Sequence, residues 1–255
     1  MKVIDLFDLT GKKTIVTGAA SGIGKAVAEV LHEQGAEIVL IDVSENVFNV
    51  SKELSQSGSK SYGIQVDLSK RSELKSGFIK AIEKLKTLDI LVNAAGILIR
   101  TPSVDCTLEI WDKTIEINLT ALFEMCKLAG KIMLERGGGK IINIASYNSI
   151  RGTSKLQAYC ASKGGVNLLT MSLADEWSGK GIYVNAIAPG YIETNLSKDL
   201  RSDPIGYHKS LETIPLGRWG TAEDLKGPVL FLASKASDYI TGALLIVDGG
   251  RNAYS

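Results

Sequence analysis

The most chemically informative side chains in the sequence are a tyrosine and a lysine placed four residues apart. Tyr159 and Lys163 lie in a stretch, about 157 to 178, whose pattern predicts a helix, and residues four apart share one helical face. A free phenol, with a pKa of about 10, exchanges protons poorly at neutral pH, whereas a neighbouring ammonium favours the phenolate. Ser146 lies 13 residues before Tyr159, at the end of a predicted strand. A phenol held beside an ammonium is a candidate proton donor and acceptor.

A glycine-rich turn, TGAASGIG from Thr17 to Gly24, directly follows the first predicted strand and opens the first predicted helix. Gly18 allows a tight turn, Gly22 lets the backbone approach a pyrophosphate, and Gly24 lets the helix pack close to the strand. The free N–H groups and the dipole of the helix N-terminus attract phosphate. The alternative is a close strand-to-helix connection without a ligand. The position after a strand favours a dinucleotide site.

An acidic residue closes the second predicted strand, 24 residues beyond the first glycine of this turn. The side chain of Asp42 can accept hydrogen bonds from the hydroxyls of an adenosine ribose, and it would repel a 2′-phosphate. No arginine or lysine directly follows it, and Ser21 rather than a basic residue precedes Gly22. The alternative is that Asp42 caps the next helix. The pattern therefore favours NAD over NADP.

The elements that must position these groups follow an α/β pattern. Short β-branched runs alternate with amphipathic stretches, and their continuous apolar character is typical of parallel strands covered on both faces. Strands are predicted at 14–17, 37–41, 62–66, 88–92, 140–145, 182–187 and 243–247, and long helices at about 108–135 and 157–178. We expect one domain, residues 1–255, with a Rossmann-type, doubly wound, mainly parallel seven-stranded sheet and helices on both faces.

One long region lacks a regular pattern. It runs from Pro189 to about Pro215 and carries prolines, glycines and charges of both signs. A loop of this length after a late strand is a candidate substrate lid, and an ordinary surface loop is the alternative.

Composition excludes several classes of function. With 29 basic and 28 acidic side chains the net charge is +1, which gives no field to attract nucleic acid or an acidic membrane. Cys106, Cys126 and Cys160 suggest neither disulfides nor a zinc site, and His32 and His208 lack a carboxylate cluster for a metal or a histidine triad. The N-terminus lacks the basic-then-apolar order of a secretion signal. No apolar run is long enough to span a bilayer. We expect a cytoplasmic protein with a small-molecule partner and no metal.

The motifs together resemble the short-chain dehydrogenase/reductase family. The glycine-rich turn, NAAG at 93–96, Asn118, Ser146, the Tyr159–Lys163 pair and PG at 189–190 occur in the family's order over essentially the whole chain. The resemblance implies an NAD-dependent oxidoreductase acting on a CH–OH group. Tyr159 would donate a proton to the carbonyl oxygen in reduction and remove it in oxidation.

The resemblance also implies roles for the neighbouring residues. Lys163 would hold the nicotinamide ribose and, with the charge of the oxidised nicotinamide, lower the pKa of Tyr159. Ser146 would fix the carbonyl oxygen. Asn118, predicted inside a long helix, would bind a water that links Lys163 to solvent. Asp67 resembles the adenine contact, and Asn93 and Gly96 a segment that stabilises the sheet and passes beside the cofactor. Ile192 and Thr194 resemble the pair that binds the carboxamide. The expected cofactor-binding residues are Gly18, Ser21, Gly22, Ile23, Gly24, Asp42, Asp67, Asn93, Gly96, Tyr159, Lys163, Ile192 and Thr194.

The C-terminal third resembles one branch of this family, which contains gluconate 5-dehydrogenase and 2-dehydro-3-deoxy-D-gluconate 5-dehydrogenase. Such substrates belong to carbohydrate metabolism and carry a carboxylate that a bidentate guanidinium would hold. The candidates are Arg100, Arg151 and Arg218, together with Ser146 and Tyr159, and surface pairing is the alternative for each arginine. The loop at 147–156 departs from the sugar-acid enzymes.

Other functions and an assembly also follow from the resemblance. Because the loop at 147–156 departs from the sugar-acid enzymes, another polyol or a sugar is an alternative substrate. A 3-oxoacyl-[acyl-carrier-protein] reductase would share the scaffold, although Asp42 argues against the NADP that such enzymes favour. A dinucleotide-binding protein without catalysis is disfavoured because all four catalytic residue types are present. The family commonly pairs through two long helices and the last strand, so we expect a homotetramer.

Overall fold

Seven parallel strands form one sheet in this computed structural model, which describes residues 2–56 and 58–253. Met1, Ser57, Tyr254 and Ser255, which the predicted range 1–255 includes, lie outside the described residues. The strands are β1 (Lys13–Thr17), β2 (Glu37–Asp42), β3 (Ser61–Gln65), β4 (Ile90–Asn93), β5 (Gly139–Ile144), β6 (Ile182–Pro189) and β7 (Leu244–Val247). Their order is β3-β2-β1-β4-β5-β6-β7. The predicted α/β fold is confirmed, and every strand pair is parallel.

Helices connect the strands and cover both faces of the sheet. They are α1 (Gly22–Glu33), α2 (Asn46–Ser55), α3 (Arg71–Leu85), α4 (Leu108–Ile115), α5 (Ala121–Arg136), α6 (Gln157–Trp177), α7 (Lys198–Arg201), α8 (Pro204–Glu212) and α9 (Lys226–Ala233). None of the helices in the described ranges is long and apolar enough to cross a membrane.

Successive strand residues face opposite sides of the sheet and so build two cores. Ile15 of β1 packs in a cluster with apolar residues of α3, α5 and α6. Its neighbour Val16 packs in a second cluster with residues of α1, α2 and α9. Because both faces are buried, the strands have no polar side, which explains the continuous apolar runs in the sequence.

From β1 to β3 the strands are added towards one edge of the sheet, and from β4 onwards they are added towards the other edge. As a result, β1 lies between β2 and β4, and the loops that leave β1 and β4 diverge at the carboxyl edge of the sheet. A crevice at such a switch point is the usual ligand site of an open α/β sheet. The Oγ1 of Thr17, at the end of β1, accepts hydrogen bonds from the N–H groups of Ala94 (3.1 Å) and Ala95 (3.2 Å), which fixes one wall of the crevice.

Two predictions of local structure need correction. The helix predicted at 108–135 is divided by a π-helical turn, Glu116–Thr120, that contains Asn118; such turns occur often at functional sites. The region Pro189–Pro215, predicted as irregular, contains α7 and α8. The Oδ1 of Asp203 accepts a hydrogen bond from the N–H of Ile205 (3.2 Å), and Pro204 takes the first helical position. This cap and this proline stabilise a short helix whose apolar periodicity is weak.

Candidate functional site

A cleft of about 320 Å³ occupies the crevice between the loops that follow β1 and β4. The glycine-rich turn forms its floor. Gly18 has a φ of 68°, and a Cβ there would lie 2.7 Å from the Cα of Ala95. A Cβ on Gly24 would overlap the carbonyl of Gly18, so a larger residue at either position would move the turn. Ser21 stands at the N-cap of α1 without using its side chain as a cap, which leaves its hydroxyl free for a ligand.

Two carboxylates line the far part of this cleft. Asp42 accepts hydrogen bonds from the N–H groups of Ala20 (3.0 Å) and Ser44 (2.8 Å), and the residue at the N-cap of α2 is Glu45. Asp42 is therefore fixed by the loop and does not cap the helix, and it keeps acceptor sites for a ligand. Asp67 accepts from the hydroxyl of Ser69 (2.7 Å), which holds the pKa of Asp67 below its usual value.

A second cavity, of about 150 Å³, adjoins this cleft and contains the predicted acid–base group. Ser146 follows the end of β5, and Tyr159 and Lys163 lie in the first two turns of α6. The two cavities share the lining residues Ile23, Ala94, Thr194 and Leu196. We call the first cavity the dinucleotide cleft and the second the catalytic pocket. A ligand in one can reach a ligand in the other.

The phenol of Tyr159 is buried, with 7% of the residue exposed. Burial raises its pKa to about 12, and a hydrogen bond with the side chain of Ser146 offsets part of this effect. Lys163 lies with its Nζ 5.8 Å from the centre of the Tyr159 ring and donates a hydrogen bond to the carbonyl of Ile144 (2.7 Å). Burial, which disfavours a charged phenolate, is the largest influence on this pKa in the protein alone. The predicted lowering, which requires Lys163 together with the oxidised nicotinamide, stays a prediction.

Burial acts on the lysine as well. Lys163 is only 4% exposed, and no carboxylate pairs with it within the described ranges. Burial lowers its pKa from 10.5 to about 8. The ammonium form still predominates at neutral pH, because that value lies above 7. The charge is available, but the surrounding protein does not neutralise it.

Asn118 is fixed by three hydrogen bonds. Its side-chain amide accepts from the N–H of Ile97 (2.8 Å) and donates to the carbonyl of Ile97 (2.9 Å) and to the hydroxyl of Ser162 (3.2 Å). A Cβ on Gly96 would lie 3.2 Å from the Oδ1 of Asn118 and 3.7 Å from the Nζ of Lys163. The structure thus brings Asn118, Lys163 and Gly96 together. The predicted water between Asn118 and Lys163 stays a prediction.

The other expected cofactor residues lie in three different places. Those that line the dinucleotide cleft are Gly18, Ser21, Gly22, Ile23, Gly24, Asp42, Asp67, Gly96 and Thr194. Ile192 lines the catalytic pocket instead. Asn93 lines neither cavity: its Nδ2 donates to the Oδ1 of Asn143 (3.0 Å) across the sheet and to the Sγ of Cys126 (3.3 Å). We therefore expect Asn93 to stabilise the sheet rather than contact a cofactor.

The three arginines predicted for the substrate lie in different surroundings. Arg100 lines the catalytic pocket. Arg218 is outside it and forms a bidentate pair with Asp224 (2.9 and 2.8 Å). Arg151 is also outside the pocket lining, and its Nη1 donates to the carbonyl of Arg251 (3.5 Å). Only Arg100 among the three is placed to meet a ligand in the pocket directly.

Several pocket residues were not predicted from the sequence. Tyr147, Asn148, Tyr191 and Asp199 line the catalytic pocket. The position of Tyr147 and Asn148 directly after Ser146, at the carboxyl end of a strand, was a usable signal. Asp199 belongs to α7, inside the region predicted as a candidate substrate lid, and no motif pointed to this residue individually. Within the described ranges, no group of three or more histidine, cysteine, aspartate or glutamate residues could hold a metal ion.

Known proteins resemble this chain over nearly its whole length. A family described as Enoyl-(Acyl carrier protein) reductase matches residues 18–252. A 2-dehydro-3-deoxy-D-gluconate 5-dehydrogenase of Bacillus subtilis (strain 168) is 44% identical over 246 residues, which are 96% of this chain and 96% of that protein. An NAD-dependent glycerol dehydrogenase of Listeria innocua serovar 6a is 41% identical over 244 residues, 96% of this chain and 95% of that protein.

A solved structure has the same fold throughout. The crystal structure of a gluconate 5-dehydrogenase from Burkholderia cenocepacia J2315, in complex with NADP and tartrate, is 33% identical with a TM-score of 0.96 and covers 100% of both chains. The resemblance to the sugar-acid branch is thereby confirmed. Because the family match and these relatives extend over nearly the whole chain, this protein belongs to the short-chain dehydrogenases/reductases.

Proposed function

We propose that this protein is an NAD-dependent dehydrogenase that interconverts a hydroxyl and a keto group on a small sugar acid. The observation that carries the proposal is the placement of Tyr159, Ser146 and Lys163 in a buried pocket that opens into the dinucleotide cleft. Bound NAD supplies the hydride acceptor in oxidation and, when reduced, the hydride donor. The free N–H groups of α1, the hydroxyl of Ser21 and the carboxylate of Asp42 suit a pyrophosphate and a ribose.

The residues of the pocket would manage the proton and the charge on oxygen. In oxidation the phenolate oxygen of Tyr159 would take the proton of the substrate hydroxyl while the carbon loses hydride to a bound oxidised nicotinamide and the C=O bond forms. The hydroxyl of Ser146 donates a hydrogen bond to the reacting oxygen. The ammonium of Lys163 favours the phenolate. Burial raises the pKa of Tyr159 to about 12 without a ligand, and the positive charge of a bound oxidised nicotinamide would lower it.

Asp42 supports a preference for NAD over NADP. Its carboxylate lines the dinucleotide cleft and is fixed by two backbone N–H groups, so it cannot turn away without losing both. A 2′-phosphate beside it would place like charges together. The structure of the Burkholderia relative contains NADP. We therefore expect the residue at position 42, rather than the shared fold, to set the choice between NAD and NADP. Activity with NADP equal to that with NAD would contradict the preference.

The substrate pocket offers groups for a hydroxylated acid. Arg100, which no carboxylate pairs within the described ranges, can attract a carboxylate, and Asp199 and Tyr147 can bond hydroxyl groups. A neutral polyol is the second candidate, since the Listeria relative is named a glycerol dehydrogenase and Asp199 places a negative charge in the same pocket.

The reaction is tested by following the reduced nicotinamide with 2-dehydro-3-deoxy-D-gluconate, 5-keto-D-gluconate, D-gluconate, glycerol and D-glucitol. We expect turnover with at least one of the acids, at a higher kcat/KM than with glycerol or D-glucitol. Turnover of neutral polyols alone would favour the second candidate. An absence of turnover with all of these compounds, while the protein binds NADH, would refute the dehydrogenase proposal for this substrate class.

We also propose a lid, an assembly and a location. Residues 189–215 act as a substrate lid, because Leu196, Asp199 and Leu200 line the catalytic pocket. Protection of this segment from proteases by NADH and substrate would support the lid.

The protein forms a homotetramer through α5, α6 and β7, where Leu168 is 67% exposed and Met171 50% exposed. A stable monomer on sedimentation would contradict this assembly. A cytoplasmic location fits the three free cysteines.

A further inference from the structure

The arginines of this chain fall into two sets. Four pair with carboxylates: Arg71 with Glu116, Arg136 with Asp89, Arg201 with Glu193 and Arg218 with Asp224. The other three, Arg100, Arg151 and Arg251, have no carboxylate partner in residues 2–56 and 58–253. Of these three, Arg100 lines the catalytic pocket, Arg251 packs against two tyrosines that line it, and Arg151 donates a hydrogen bond to the carbonyl of Arg251.

Arg251 is the most constrained of these three. Its guanidinium carbon lies 5.7 Å from the centre of the Tyr147 ring and 5.9 Å from that of the Tyr191 ring, and both tyrosines line the catalytic pocket. Its Nε is buried and has no hydrogen-bond acceptor within the described ranges. Arg100, by contrast, is exposed. Arg251 does not itself line the pocket, but its unpaired guanidinium packs against two rings that do.

The carboxylate of Asp248, three residues before Arg251, is already used by the backbone. Asp248 accepts hydrogen bonds from the N–H groups of Gly250 (3.0 Å) and Asn252 (2.6 Å), and its carbonyl accepts from the N–H of Arg251 (3.2 Å). These bonds fix the backbone that carries Arg251 while they leave its guanidinium unpaired. Cation–π contact with two tyrosines compensates for part of the lost hydration, but a buried N–H without an acceptor remains costly.

We infer that Arg251 recognises the carboxylate of the substrate, held in place by the rings of Tyr147 and Tyr191. A planar guanidinium can bind a carboxylate with two parallel hydrogen bonds, and that of Arg251 has no carboxylate partner among the described residues. The inference rests on the proposed function and adds to it: Arg251 is a specificity-determining residue that selects a polyhydroxy acid over the corresponding neutral polyol. The competing explanation is that Arg251 merely ties the C-terminal segment to the two tyrosines.

A matched pair of substrates separates the two explanations. D-Gluconate and D-glucitol differ only in a carboxylate or a hydroxymethyl group at carbon 1. We expect Arg251→Gln to lower kcat/KM for D-gluconate by about 10- to 100-fold, the size expected for a lost charge-assisted hydrogen bond, with the loss mainly in KM. The value for D-glucitol should change by less than about 2-fold. Arg251→Lys, which keeps the charge but not the planar fork, should fall between wild type and Arg251→Gln.

The control removes a positive charge far from the pocket. Lys180 is exposed and precedes β6, whose opposite end at Pro189 reaches the pocket. Lys180→Gln should leave the ratio of the two kcat/KM values unchanged. An equal loss on both substrates in Arg251→Gln, or no loss on D-gluconate, would overturn the inference and leave the proposed function intact.

Binding gives a second readout that does not need turnover. D-Gluconate is titrated calorimetrically into the enzyme saturated with NADH. We expect binding to the wild type and a loss of at least about 10-fold in affinity in Arg251→Gln. If the wild type neither binds nor oxidises any of the acids, both the inference and the proposed function fail. If it binds D-gluconate as tightly as Arg251→Gln does, only the inference fails.

Discussion

Replacement of Lys163 by methionine should separate the contribution of this residue to the reaction from its destabilising effect on the folded protein. Lys163 is almost fully buried, is not paired with a carboxylate in the described part of the chain and keeps one hydrogen bond, to the carbonyl of Ile144. Methionine fills a similar volume without a charge. We expect Lys163→Met to unfold at higher denaturant than the wild type at neutral pH, although it loses dehydrogenase activity.

The magnitude follows from the pKa of the lysine. Burial lowers that pKa from 10.5 to about 8, so the folded state binds the proton less tightly than the unfolded state. Below the folded pKa, Lys163 is charged in both states and destabilises the folded protein by about 3 kcal/mol. As the pH rises through 8 to 10.5 the lysine loses its proton in the folded state and the cost falls, to about 1 kcal/mol near pH 10. In the variant, loss of the hydrogen bond to the carbonyl of Ile144 lowers the free energy of unfolding by about 1–2 kcal/mol.

The net expectation is a gain of about 1–2 kcal/mol in the free energy of unfolding for Lys163→Met near pH 7, and a loss relative to wild type near pH 10. Urea unfolding at equal protein concentration, without cofactor, measures the difference at both pH values. The matched control is Lys180→Met, at an exposed lysine, which should show no pH-dependent difference. If the difference between Lys163→Met and wild type stayed the same at the two pH values, the buried charge would not be the cause and the reasoning would be refuted.

Three further substitutions test the cofactor cleft and the proton carrier. Tyr159→Phe removes only the ionisable hydroxyl, so turnover should fall by at least about 10³-fold while NADH binding stays nearly unchanged; residual turnover near the wild-type rate would show that another group moves the proton. Asp42→Ala should weaken NAD binding by about 10- to 100-fold through lost ribose hydrogen bonds and raise the kcat/KM ratio of NADP to NAD, and an unchanged ratio would assign Asp42 to the loop alone. Gly24→Ala places a methyl group against the carbonyl of Gly18, so we expect weaker NADH binding by calorimetry and a lower melting temperature. Gly179→Ala, with open space around its Cβ position, is the control that should change neither.

The sequence was sufficient for much of the fold. The seven strands were predicted because they are short runs of mostly apolar residues, and this local pattern does not depend on which strands lie beside them. The π-helical turn at Asn118 and the two short helices after Pro189 were not predicted, because packing and capping rather than periodicity decide them. Their effect on the site is direct, since Asn118 and Asp199 both depend on these segments.

The acid–base group shows the same division. The spacing of Tyr159 and Lys163 and the position of Ser146 were enough to predict that they meet, since helix geometry and strand ends are local. The direction in which the pKa of Tyr159 moves was not predictable, because burial is a property of the whole pocket. Burial raises it to about 12 in the protein alone, whereas the sequence predicted a fall caused by Lys163 together with the oxidised nicotinamide.

The amino-acid sequence alone was enough to identify the family and to predict the dinucleotide turn and the proton-transfer residues, because each prediction rests on short motifs whose geometry is fixed within a few residues. Only the tertiary structure decided the surroundings of each arginine. Arg218 is neutralised by Asp224, Arg100 lines the pocket, and Arg251 lies against two tyrosines that are more than 50 residues away along the chain. Whether an arginine has a carboxylate partner depends on the distance between the two groups in the folded protein, and the spacing of residues along the chain does not determine that distance.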